Sequence, residues 1–260
     1  MKDLFRVLRD KLGADFDSFI SKKVVAVAGD VSRVNLGLDQ DKNLKDEVLE
    51  ELDVIVHTAA ATTFDERYDI AMGTNTMGAF NVVNFVKNCH KLKILLHVST
   101  AYVCGEKGGL IVEEPLHIGQ MKKGSSNLDI FLEKQMIEEK LKELRAHNAN
   151  EGTIKSVMQS FGLLRAKMHG WPNTYVFTKS MAEMLLVKMK DTLSLPLIII
   201  RPTMILGTYS EPFPGWVEGV RTIDFVVAKY GNGTMTSFVG KPEIILDVVS
   251  STHFCFAYFH

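Results

Sequence analysis

Tyr175 and Lys179 stand four residues apart in the stretch WPNTYVFTKS, Trp171–Ser180. On a helix that spacing puts both side chains on one face. A phenol, with a pKa of about 10, is a poor acid or base near neutrality, but a neighbouring ammonium favours phenolate and lowers that value. Such a pair can move a proton to or from a carbonyl oxygen while hydride moves to or from the carbon. The plain alternative is an aromatic and a cation on an ordinary helix, so the surroundings decide. Upstream, Ser99 and Thr100 supply hydroxyls at the end of an apolar run. They suit donation to a carbonyl oxygen as negative charge builds there, and equally suit capping the next turn.

The elements that must hold these groups are legible as short apolar runs ending in small or polar residues. Lys23–Asp30, Asp53–Ala61, Lys93–Val103 and Pro196–Gly207 are rich in Val, Ile and Leu without strict alternation. That pattern suits parallel strands covered on both faces. Between them Asn43–Leu52, Asn75–Leu92 and Thr174–Lys190 read as helices, the last capped by Asn173 or Thr174. Ser125–Gly152 reads as a charged helix covering a sheet edge, with a loop over residues 119–126 before it. Alternating strand and helix predicts a Rossmann-like, doubly wound α/β fold in one domain.

Open parallel sheets bind ligands at the carboxyl ends of their strands. Those ends gather Gly29 and Asp30, His57 to Ala61, Ser99 and Thr100, and Arg201, Pro202 and Thr203. Gly29, Ala59 and Ala60 leave room for a planar ring or a ribose, and Asp30 can accept from an adenine amino group. Tight packing and a plain turn account for the same residues.

Lys and Arg total 30 against 31 Asp and Glu, a balance that argues against a nucleic-acid partner. Cys89, Cys104 and Cys255 are widely spaced and read as reduced thiols. No apolar run reaches the length of a membrane span, which leaves membrane-surface association open.

Tyr175–Lys179 matches the YxxxK motif of the short-chain dehydrogenase/reductase superfamily, HVSTAYVCGE (His97–Glu106) resembles its upstream Ser/Thr segment, and Asn75 resembles its helix asparagine. A narrower resemblance joins Leu4–Ser32, HVSTAYVCGE, WPNTYVFTKSMAE and IIIRPTMILGTYSEPFPGWVEG (Ile198–Gly219), of which RPTMILGTYSEPFPGW (Arg201–Trp216) is the most specific. In this order they are similar to alcohol-forming fatty acyl-CoA reductases of the plant type, over roughly residues 4–245. Sugar-nucleotide and sterol reductases share YxxxK but lack the Pro-Phe-Pro-Gly-Trp ending.

The resemblance implies NADPH-dependent reduction of a long-chain acyl-CoA to a primary alcohol through an aldehyde-level intermediate, at the endoplasmic reticulum or in a plastid. It implies Tyr175 as proton donor, Lys179 as its pKa modulator and ribose ligand, Thr100 as carbonyl donor with Ser99 beside it, and Asn75 holding a water linked to Lys179. Pro202 and Thr203 would lie beside the nicotinamide.

The pattern is not complete. No GxxGxxG turn precedes Lys23, and Gly105–Leu110 and Gly231–Met235 have turn spacing instead. The resemblance therefore implies that the first strand, its glycine turn and the 2′-phosphate-binding basic residue are not in this chain, which opens a non-catalytic, partner-binding reading. Residues 246–260 diverge from the family; Phe254, Phe256, Tyr258 and Phe259 there suggest a membrane or partner contact, or an aberrant tail.

Overall fold

The computed structural model describes residues 3–117, 128–193, 195–220, 222–241 and 243–256. The loop read at 119–126, the first residues of the helix read from Ser125, Tyr258 and Phe259 lie outside the described residues, as does the side chain of Phe256. Along the chain the elements are α1 (Arg6–Leu12), α2 (Phe16–Lys23), α3 (Lys42–Glu51), β1 (Val54–His57), α4 (Tyr68–Ala71), α5 (Gly78–Val86), β2 (Ile94–Val98), α6 (Ile130–Ala146), α7 (Glu151–Met168), α8 (Thr174–Met189), β3 (Leu197–Ile200), β4 (Met204–Leu206), α9 (Thr222–Gly231), β5 (Val248–Ser250) and α10 (Ser251–Phe256). They fall into two compact units, residues 28–201 and a second made of 1–27 with 202–260.

The larger unit holds a parallel sheet in the order β1-β2-β3. Val54 pairs with Ile94 and His57 with His97, while Leu95 pairs with Leu197 and Val98 with Ile200. Helices bridge each pair of strands, which is the α/β architecture expected of parallel pairing. Ile55, Leu95, Leu197 and Ile199 pack with Val82, Val83, Ala182 and Leu186 of α5 and α8. On the opposite strand parity Val54, Val56 and Ile198 stay 41–49% exposed, so coverage of both faces is not realised among the described residues.

Three readings of elements need correction. Residues 24–30 form no strand, because a strand needs a partner to complete its ladder and no strand pairs with them among the described residues; Val24 and Val25 are exposed. The run Pro196–Gly207 is not one strand: β3 belongs to the sheet of the larger unit and β4 pairs in parallel with β5 in the smaller. The helix read over Ser125–Gly152 stops at Ala146, and a second helix absent from the sequence reading begins at Glu151, with Asn148 in the left-handed region between them and Asn150 capping the second. These two pack on α4 and α8 rather than on a sheet edge, burying Ile130, Ile137, Ile154 and Met158 with Tyr68 and Phe177.

The helix read from Asn75 begins earlier, at Tyr68, and passes through a π-helical turn, Met72–Met77, before α5. Asn173 caps α8 by accepting from the Val176 N–H at 2.9 Å. In the smaller unit α1 and α2 precede the β4-β5 pair, and Arg6 donates to the Pro212 carbonyl at 3.0 Å. All three cysteines are free thiols.

Candidate active site

Strand β2 ends at Val98, and the ladder runs one residue further through the Ser99 N–H, which donates to the Ile200 carbonyl at 2.8 Å. Thr100 then caps a single 3-10 turn, Ala101–Cys104, accepting from the Tyr102 N–H at 3.4 Å. The turn is fastened from two sides: Trp171 Nε1, just before α8, donates to the Val103 carbonyl at 3.1 Å and Ser180 Oγ of α8 to the same oxygen at 3.3 Å. The two hydroxyls thus stand apart in use. Thr100 serves the turn, whereas Ser99 Oγ is buried without a hydrogen-bond partner.

Helix α8 brings the other two groups. Lys179 is 2% exposed and its Nζ donates to the Val98 carbonyl at 2.8 Å, one residue before Ser99. Burial pushes its pKa down to about 8, against the pull of Glu183 one turn along. Glu183, fully buried, is clamped by Arg201 at 2.6–3.1 Å, and Arg201 also donates to the Glu114 carbonyl. Tyr175 is half-buried, its ring 6.0 Å from that of Phe64.

Here an expectation fails. The spacing predicts a Tyr175 phenol lowered by Lys179, but burial raises it above its ordinary value. The neutral acid is thereby favoured, which suits a proton donor better than a base.

Asn75 sits on the π-helical turn, a geometry frequent at functional sites. Its Oδ1 accepts from the Ala61 N–H at 2.8 Å, and its Nδ2 donates to the Ala61 carbonyl at 3.1 Å and to Thr178 Oγ1 at 2.9 Å. Its amide is therefore spent on tying the loop after β1 to α8. Ala59 and Ala60 lie half-buried in that loop.

Gly29 is the tight-packing case: a Cβ there would sit 3.0 Å from the Leu36 carbonyl oxygen. That oxygen accepts from the Asp30 N–H and belongs to a left-handed run, Asn35 to Gly37. The Asp30 carboxylate accepts from Ser32 Oγ at 2.7 Å and pairs with Arg33, and these contacts, Ser32 first, hold its pKa below the usual range. Pro202 and Thr203 belong to the smaller unit.

Tyr175, Lys179, Ser99 and Thr100 are thus placed by one helix and the strand end it packs against. Residues 2–258 match the family described as male sterility protein, an NAD-binding family. The chain belongs to this family. It is 51% identical over 249 residues to probable fatty acyl-CoA reductase 4 of Arabidopsis thaliana, covering 95% of this chain and 50% of the relative. It is also 51% identical over 248 residues to the alcohol-forming fatty acyl-CoA reductase of Simmondsia chinensis, with the same two coverages. The chain spans about half the length of these relatives. Among solved structures, the terminal R domain of the myxalamid biosynthetic pathway matches 93% of this chain and 47% of its own at a TM-score of 0.58 and 18% identity, a likeness of fold.

The residues fit one end of the nicotinamide cofactor that the male sterility protein family implies. Lys179 and the unpartnered Ser99 hydroxyl offer donors at the strand end. The phosphate end is different: the side-chain caps of α-helices among the described residues are Asp41, Asp129, Asn150 and Asn173, and none opens on a glycine-rich turn. Gly105–Leu110 is irregular chain and Asn232 and Gly233 form a turn, with Gly105, Gly109 and Gly233 at positive φ.

Two features escaped the sequence reading. One is the Glu183–Arg201 clamp behind Lys179. The other is the pairing of His57 with His97 across β1 and β2; the matching endings of VIVH and ILLH were the signal available for it.

Proposed function

We propose that the chain carries the reductase site of a fatty acyl-CoA reductase, which converts a long-chain acyl-CoA to a primary alcohol through an aldehyde-level intermediate with NADPH as reductant. The observation that carries this reading is Lys179 buried against the end of β2, with Ser99 behind it and Tyr175 one turn earlier on α8. The names of the plant relatives support the substrate class.

A nicotinamide cofactor supplies hydride when bound; the chain's residues manage the oxygen. Tyr175, kept protonated by its half-buried setting, gives its proton to the carbonyl oxygen as charge develops there. Ser99 donates a hydrogen bond to the same oxygen, with Thr100 beside it. Lys179 stabilises the phenolate that forms and offers a donor to a ribose hydroxyl.

Incubation of the purified chain with palmitoyl-CoA or stearoyl-CoA and either NADPH or NADH tests the reading. Fatty alcohol or aldehyde should form, with NADPH preferred. A folded chain that makes neither removes the activity, and saturable NADPH binding in titration argues against the non-catalytic reading.

A further inference from the structure

His57 closes β1, and the sheet register sets it directly against His97 of β2. Their Nδ1 atoms lie 2.9 Å apart, a hydrogen bond that holds a single proton. His57 is 5% exposed and His97 1%. Burial first, and then the charge of Lys179, keeps both rings neutral; the His57 pKa falls to about 4.

Counting protons on two neutral rings fixes the rest. The ring that donates through Nδ1 has a bare Nε2, and the ring that accepts carries an Nε2–H. Both Nε2 atoms are buried without a hydrogen-bond partner, and so is Ser99 Oγ, which shares the strand face of His97 two residues on. Unpaired polar atoms in such a place mark sites for ordered water or for chemistry. The same strand parity carries Ile55, Leu95 and Ile199, which pack against α5 and α8, so the pair lies beneath the helix that carries Lys179. Lys179 is the charged group acting on both rings; Asn75 and Thr76, on the helical segment beside it, are uncharged.

In the proposed reaction Tyr175 is left as phenolate and recovers a proton from Lys179. Lys179 is itself buried, so its proton must be replaced from within the protein. We propose that His57 and His97 form a proton-relay pair that replenishes Lys179. The bare Nε2 of one ring takes a proton from water, its Nδ1 proton crosses to the Nδ1 of the other ring, and that ring releases its Nε2 proton through ordered water to the Lys179 amine. No electrons change hands, and the two tautomers are exchanged. A cyclic transfer, Nε2 to Nε2 through water and Nδ1 back to Nδ1, restores them. The pair touches neither substrate nor cofactor and acts through Lys179.

This inference rests on the reductase reading, and its test separates the two. Nitrogen NMR of the full chain labelled with 15N-histidine should show one Nδ1–H coupled across the hydrogen bond to the second Nδ1, with both rings neutral near pH 7. In Lys179→Met the pair should titrate at higher pH than in the wild type, whereas Lys179→Arg should leave it in place. Two rings protonated only at Nε2, or a titration indifferent to Lys179→Met, would overturn the relay. In turnover, His57→Gln and His97→Gln should each lower kcat about tenfold, less than the roughly 10²–10⁴-fold that a group transferring a proton at the reacting atoms contributes. The double variant should be no worse than either single, KM and cofactor affinity should hold, and the solvent deuterium effect should grow. Additive losses that track thermal stability would overturn it. If the wild type reduces no acyl-CoA, the reductase reading fails on that result, and the NMR measurements still decide whether the pair shares a proton and answers to Lys179.

Discussion

Two buried polar clusters grip α8, and they differ in how fully their atoms are paired. On one side Glu133 of α6, 2% exposed, accepts from Tyr68 OH at 2.9 Å, from Arg165 Nε at 3.0 Å and also from Arg165 NH2, and it meets His169 Nε2 at 3.1 Å. Phe177 of α8 stacks on both His169 and Tyr68. On the other side Lys179, His57, His97 and Ser99 are buried with three of their polar atoms unpartnered. Burial works to raise the Glu133 pKa, but hydrogen bonds from His169, Arg165 and Tyr68 outweigh it and hold the carboxyl at about 2. No such set of partners offsets the burial of Lys179, which drops to about 8. The first cluster favours the fold, and the second costs it something for the sake of a reactive cation.

That contrast breaks most visibly at Tyr175 and Lys179. Tyr175→Phe should lower acyl-CoA reduction by about a hundredfold or more while the circular dichroism stays native; near-full activity would sink the assigned role. Lys179→Met should be equally inactive yet unfold at higher denaturant. Its folded pKa lies below the ordinary value of 10.5, so the folded state holds the proton less tightly than the unfolded chain. The wild type therefore gains stability as pH rises from about 8 to about 10.5, by up to about 3 kcal/mol, and Lys179→Met should lack that rise.

At the other cluster the signs reverse. Glu133→Ala strands Arg165, 14% exposed, and the Tyr68 hydroxyl. It should cost about 3 kcal/mol or more in urea unfolding. Because the folded pKa of Glu133 is depressed, its contribution is complete above the unfolded value of about 4.5 and fades as pH falls toward about 2. The variant should show a flatter acid limb than the wild type, and an unchanged limb would deny the network its role. A smaller effect belongs to Gly162 of α7, where a Cβ would come within 2.8 Å of Thr174 Oγ1 and 2.9 Å of Tyr68 Cβ. Gly162→Ala should therefore lose about 1–3 kcal/mol despite its better helix propensity.

The same contrast separates what the amino-acid order makes legible from what it hides. Placement carried by local spacing is legible: Tyr175 with Lys179 on one helix, the hydroxyls after an apolar run, and the Asn173 cap all follow from positions within one element. Groups defined by pairing across elements are not. Glu133 reads as one more charge on a polar helix, and its burial follows from Arg165 and His169, more than thirty residues away. The strand expected at Val24–Asp30 fails for the same reason, since β-branched residues specify an extended chain but not the neighbour that completes a ladder. The Tyr175 phenol departs from expectation because spacing reveals a nearby cation but not the packing that desolvates the ring.

The finest test of the comparison uses two caps of equal chemistry. Asn150 begins α7 by accepting from the Thr153 N–H, and Asn173 begins α8 by accepting from the Val176 N–H, both at 2.9 Å. Each Asn→Ala change should cost about 1 kcal/mol, because each strands one helix-terminal donor. Their effects on turnover should differ. Asn150 stands at the start of a helix that contributes to the paired cluster, whereas Tyr175 lies two residues beyond Asn173, in the first turn that this cap holds. Fraying that turn displaces the phenol relative to Ser99 and Lys179, and small displacements of positioned groups are expensive in rate. Asn173→Ala should thus lower kcat several-fold with KM little changed, and Asn150→Ala should leave both alone. Equal losses of activity in the two variants would mean that global stability, not the first turn of α8, sets the geometry of the site.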